Sequence, residues 1–248
     1  MSVGLTLLMK LPGLCCIAAF SPYKKLSQIQ PMELKLMMVH AFERWGLPLR
    51  IKIDNGYPFK PIRSKELPSL PMLWWIGLGI DATLNNLASP QENGTVEGLQ
   101  GITNRWVNPQ SVQSAEQLQV ALTEICRQQR ETFRIRAKGD KTRKELFPEL
   151  ELNPRKYDAS QFDLNRVKDY LTQFVFIRKS IPNRTVSLAG CKIYVGSKHH
   201  NPNLSITYNA EKELWEIRNQ QGDLIKESVK PQITAHKILN FIPLSKNN

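Results

Sequence analysis

The sequence predicts a mixed protein: an open α/β region in its first half and a small all-β barrel near its end. Three observations carry this. Apolar residues recur at helical spacing from Pro31 and are followed directly by a strand-like run ending at Ile53. Three stretches after residue 160 alternate apolar and polar residues between Gly and Asn turns. Charge is also uneven: from residue 127 onward there are 23 Lys+Arg against 13 Asp+Glu, while the first 126 residues hold 11 against 9.

Composition excludes several classes. At 248 residues, with 41% hydrophobic and 23% charged residues, the chain can bury a real core and is neither disordered nor membrane-embedded. A net charge of +12 concentrated in the C-terminal half is an electrostatic footprint for nucleic acid, or less readily for an anionic membrane. Cys15, Cys16, Cys126 and Cys191 form no C-x-x-C pair and read as buried free thiols in a reducing compartment. His199 and His200 lack ligand-like companions and read as loop.

The opening apolar run has a signal peptide's outline, but Lys10 and Pro12 interrupt it and no charged segment or A-x-A site frames it. Cys16 to Phe20 is expected as a buried strand. Leu34, Met38, Ala41, Phe42 and Trp45 then make one helical stripe, with Pro31 at the first turn and Gly46 after the last. Leu49 to Ile53 is the next strand, and Asp54, Asn55 and Gly56 end it. As loop punctuation Asp-Asn-Gly is a turn. As the end of a strand in an α/β sheet it is also where active groups collect. A second helix is expected around Pro71 to Leu78, with Trp74 and Trp75 in the core, then a short strand from Ile80 to Leu84. A helix from Thr95 carries Glu97 in its first turn, where the helix dipole alone would favour a carboxylate.

These residues resemble the integrase catalytic core of bacterial transposases, the DDE superfamily. Asp54, Asn55 and Gly56 match the family's Asp-Asn-Gly, and Pro90, Gln91, Asn93, Gly94, Val96 and Glu97 match its Pro-Gln-x-Asn-Gly/Ala-x-Val-Glu signature. The order of these motifs and the intervening Leu-Gly-Ile agree as well. The resemblance implies an RNase H-like core and DNA strand cleavage and transfer, hence DNA integration, recombination and transposition. It also implies Mg²⁺ or Mn²⁺ as a two-ion site with the ions about 4 Å apart, Asp54 and Glu97 being the catalytic and metal-ligating carboxylates. Double-stranded DNA and mobile-element ends are the implied partners, with a second copy or an intact transposase as a further one. The implied location is a bacterial cytoplasm, at the nucleoid.

The family also requires an Asp on its first strand. Before Asp54 this sequence has only two acids, Glu33 and Glu43, both on the expected helix. The core is therefore expected to be N-terminally incomplete, a truncated or disrupted copy inactive alone. The alternative reading is a non-catalytic DNA-binding remnant that regulates or interferes with an intact transposase.

Past the core, Ser114 and Gln117 stand in capping-box relation before a helix with Leu118, Ala121, Leu122 and Ile125 on its apolar face. Arg127, Arg130 and Arg134 fall at i, i+3 and i+7, one side of a continuing helix. Solvated surface is the plain reading of that stripe, and phosphate contact the functional one. It leads into a basic linker with Lys138, Lys141, Arg143 and Lys144, expected to bind DNA phosphates. The expected domains are thus a partial catalytic core over residues 1–130, a linker over 131–160 and a β-barrel over 161–242. Tyr194, Tyr208 and Trp215 are assigned to the barrel core, whose position resembles that of the C-terminal barrel of Mu-type transposases.

Overall fold

Between Pro31 and Leu84 the helix and strand signals produce the elements they predict among the described residues. The structure, a computed structural model, describes residues 10–11, 14–15, 31–53, 67–84, 105, 114–148, 151, 153–181, 183–196 and 203–245. Two short strands, β1 (Lys10–Leu11) and β2 (Leu14–Cys15), pair antiparallel with Lys10 opposite Cys15. Helix α1 (Pro31–Trp45) buries Leu34, Met38, Ala41 and Phe42, the expected stripe, and leaves Trp45 half-buried. Gly46 ends it at φ +77° and donates its N–H to the Phe42 carbonyl at 2.7 Å, the left-handed helix stop that glycine adopts at little cost. Strand β3 (Arg50–Ile53) then pairs in parallel with β4 (Asp81–Leu84), Arg50 opposite Asp81 and Ile53 opposite Leu84. Between them in the chain lies α2 (Leu70–Gly77).

The chain divides into two compact units, Met1–Pro58 with Ile80–Asp158, and Phe59–Gly79 with Ala159–Asn248. In the first, Ser114 caps α3 (Ala115–Glu131) by accepting from the Gln117 N–H at 3.2 Å, and the helix buries Leu122 and Ile125. The segment after α3 is folded, although the sequence reads as a linker. Strands β5 (Arg134–Ile135) and β6 (Lys141–Thr142) form an antiparallel hairpin whose tip is a 3₁₀ turn, Arg136–Lys138. Helix α4 (Arg143–Leu146) starts from a full capping box: Thr142 Oγ1 accepts from the Glu145 N–H, and Glu145 accepts from the Thr142 N–H. Further on, Asn153 Nδ2 donates to the Trp45 and Leu47 carbonyls at 2.9 and 3.2 Å, and Arg155 donates to the Pro48 carbonyl at 2.6 Å. The Leu47 N–H returns a bond to the Arg155 carbonyl at 2.7 Å. Residues 153–155 thereby satisfy the backbone of the turn between α1 and β3.

The second unit holds α2, α5 (Leu164–Thr172), strands β7 (Val175–Lys179), β8 (Thr185–Leu188), β9 (Cys191–Tyr194), β10 (Asn203–Asn209), β11 (Leu214–Arg218) and β12 (Leu224–Ser228), and α6 (Ala235–Leu239). The expected barrel does not form among the described residues. Four strands make an open antiparallel sheet in the order β12-β11-β10-β7, and β8 and β9 pair as a separate hairpin. Helices explain the open form. Phe176, Leu204, Ile206, Tyr208, Trp215 and Ile217 are buried, and α5 packs on β10 with Val167 and Leu171 fully buried. The apolar face is covered by a helix, so the sheet need not curl onto itself. Each of those large apolar side chains contributes roughly 1.5–3 kcal/mol when fully buried. Trp215 is completely buried and donates its Nε1–H to the Pro231 carbonyl at 2.9 Å, while Tyr194 is exposed, contrary to its assignment to the core.

Helix α2 is apolar all round, with Trp74 and Trp75 buried as expected, and it packs against α5 and α6. Among the described residues no helix is long and apolar enough to cross a membrane.

Candidate functional site

Parallel pairing brings the carboxyl ends of β3 and β4 to one edge, with Ile53 beside Leu84. The next residue in the chain after Ile53 is Asp54. At the other end of the ladder the Arg50 Nε–H donates to Asp81 Oδ2 at 2.6 Å, and the Asp81 N–H to the Leu49 carbonyl at 2.9 Å, which anchors the register. Asp54 and Glu97 lie outside the described residues, as do the signature from Pro90 to Val96, the strand expected over residues 16–20 and the His199–His200 pair. The described residues contain no group of three or more His, Cys, Asp or Glu side chains able to hold a metal ion. Carboxylate oxygens such as those of Asp54 and Glu97 are the hard donors that Mg²⁺ takes.

The cations after the start of α3 occupy three different situations. Arg127 is held by its own helix, donating to Glu124 at 2.7 and 2.8 Å and to Glu131 at 3.2 Å. Hydrogen bonds to Arg127 and then Gln128 bring the Glu124 carboxyl down to about 2, and the same Glu124 contact raises the Arg127 pKa. Arg130 is only 8% exposed, its guanidinium 4.8 Å from the centre of the Trp45 ring and bonded to Glu131 at 3.2 Å. It is a packing residue, unable to reach a phosphate from that position. Arg134 stands beyond the end of α3 at Glu131, on β5, so the three arginines do not share a helical side. The stripe fails because the helix stops three residues before it is complete.

Arg134 instead braces the hairpin, donating to the Asp140 carbonyl at 2.8 Å. Arg143 ties α4 to α3 through the Gln129 carbonyl at 2.9 Å, and Lys144 pairs with Glu151 at 3.2 Å. Lys141 is exposed and helps to lower the Glu145 pKa, a shift due mainly to Glu145's backbone and side-chain bonds with Thr142. Lys138 is exposed at the tip, and so is Arg136, which the sequence pattern passes over although it lies between two residues assigned to phosphate contact. A helical period counted from Arg127 steps past it; reading 134–138 as a hairpin would have found it.

The second unit contains a groove of about 590 Å³ between the start of α2, the end of β7, the β8–β9 turn and the segment after α6. Leu67, Leu70, Ile181 and Leu244 supply apolar wall, Arg178 and Lys179 supply positive charge, and none of its lining residues is acidic. Arg178 is fixed there by donating to the Ser187 carbonyl at 2.8 Å. Cys126 and Cys191 are half-buried thiols.

No protein-family model matches the chain, and no curated protein matches it.

Proposed function

We propose that this chain is a DNA-binding protein of the transposase and integrase class, in which strand cleavage and transfer is the inherited activity and this polypeptide alone does not carry it out. The observation that carries the reading is the parallel β3–β4 pair, which ends one residue before Asp54. An antiparallel ladder, a helix, and two parallel strands separated in the chain by another helix is the order of elements on which the reading draws. Asp54 and Glu97 would then hold Mg²⁺, and the chemistry it would supply is activation of an attacking hydroxyl and stabilisation of the leaving oxygen of a DNA phosphate. Mobile-element ends are the DNA this reading names.

The second reading, a DNA-binding remnant that interferes with an intact transposase, is favoured by one specific feature. Strands β1 and β2, which precede α1, carry no acid, and the only acids before Asp54 are Glu33 and Glu43 on α1. A site with two of three carboxylates holds one of its two ions poorly. Incubation of the purified chain with Mg²⁺ or Mn²⁺ and linear duplex DNA is expected to give retention of DNA without joined products. Joined products that vanish in Asp54→Asn would overturn the loss of catalysis, and absence of any DNA binding at low salt would overturn the class.

A further inference from the structure

Between Arg134 and Lys144 the chain holds six cations and a single acid, Asp140. Three of the six are engaged inside the fold: Arg134 on the Asp140 carbonyl, Arg143 on the Gln129 carbonyl and Lys144 on Glu151. The Arg134 bond holds the hairpin and the Arg143 bond fastens α4 to α3, so the tip is set on a braced support. The tip itself is exposed at every residue from Arg136 to Asp140. Gly139 at φ +71° and Asp140 at φ 57° turn the chain back, with the Gly139 N–H bonded to the Arg136 carbonyl and the Asp140 N–H to the Ile135 carbonyl. Within that turn the side chains of Arg136 and Lys138 form no ion pair with a described residue.

We infer that the β5–β6 hairpin tip, through Arg136 and Lys138, is the surface that contacts the phosphates of duplex DNA, in place of the arginines of α3. The inference rests on the DNA-binding reading above and assigns it a site. Two residues apart in a turn of three residues per turn, the two side chains leave the tip about 120° apart. They therefore diverge, and two separate phosphates suit them better than one shared anion. A braced tip loses little freedom when it docks, which favours binding by exposed cations that would otherwise be costly to order. Cations on a short turn neutralise phosphates and carry no sequence information by that contact, so the binding is to the backbone.

The test is the salt dependence of binding to a mixed-sequence duplex, followed by fluorescence anisotropy. Arg136→Ala with Lys138→Ala should flatten the slope of log K against log salt by about 1.8, two phosphates at about 0.9 each. The charge-keeping pair Arg136→Lys with Lys138→Arg should restore the slope, which separates lost charge from a damaged hairpin. Removing the Arg127–Glu124 ion pair whole, by Arg127→Gln with Glu124→Gln, should leave the slope unchanged. A wild-type chain that does not bind duplex at low salt overturns the DNA reading itself. A wild-type chain that binds, with an unchanged slope in the Arg136–Lys138 double variant, overturns only the assignment of the tip. Binding to phosphatidylserine vesicles through the tip, with none to duplex, overturns the assignment in favour of a membrane surface.

Discussion

Three residues apart on α3, Arg127 and Arg130 meet opposite surroundings, and their substitutions should separate accordingly. Arg130 is buried over the Trp45 ring at 4.8 Å, where a desolvated cation–π contact is worth about 1–2 kcal/mol. Arg130→Ala is expected to lower stability by about that amount in urea unfolding followed by circular dichroism. Arg127 is half exposed among glutamates, and its signature is a titration instead. Glu124 is held at about 2 by its bond to Arg127, so the pair's contribution is intact above the ordinary carboxylate range and is lost as pH falls through about 2. An NMR titration should find the Glu124 carboxyl still ionised well below the ordinary range, and Arg127→Gln should move its midpoint upward.

At the scale of elements, the turn from α1 to β3 is the sensitive joint, because it sets where β3 ends. Gly46 has two independent reasons to be glycine: its φ is +77°, and a Cβ there would meet the Arg155 carbonyl oxygen at 2.6 Å and Asn153 Nδ2 at 2.7 Å. Gly46→Ala should therefore cost more than about 1 kcal/mol, the usual ceiling for a strain-free backbone exchange. Asn153→Ala removes the donor to two carbonyls, at Trp45 and Leu47, and should cost about 1–3 kcal/mol. Both are read from urea midpoints at constant m, and wild-type stability in Asn153→Ala would show that water satisfies those carbonyls equally well. The Asn-Pro-Arg run carries no periodicity and no motif. Its partners are over a hundred residues away, so nothing local in the sequence reveals the clamp.

For the whole molecule, the net charge of +12 is the quantity that would govern the proposed association with DNA. Asp54→Ala, assayed without divalent metal, should leave duplex binding unchanged or slightly tighter, since it removes one negative charge from the chain. Clearly weaker binding in that variant would mean that Asp54 orders a DNA-contacting surface, and gel-shift titration distinguishes the two. The same +12 says nothing about which cations are available. Arg127, Arg134, Arg143 and Lys144 all count toward it, yet each is engaged by a carboxylate or a carbonyl of its own unit.

Elements whose signals are local can be read from the residues alone: the α1 stripe with its Gly46 stop, the strand ending at Ile53, the Ser114 cap, and the alternation that buries every second residue of β10 and β11. Period and capping chemistry act over a few residues, so they are legible there. Long-range packing sets the rest: the sheet of the second unit stays open because α5 covers its apolar face, and the basic segment after Glu131 folds into a braced hairpin. Packing also sets which arginines are buried, tied or exposed, since a guanidinium's availability depends on partners that sequence spacing does not specify.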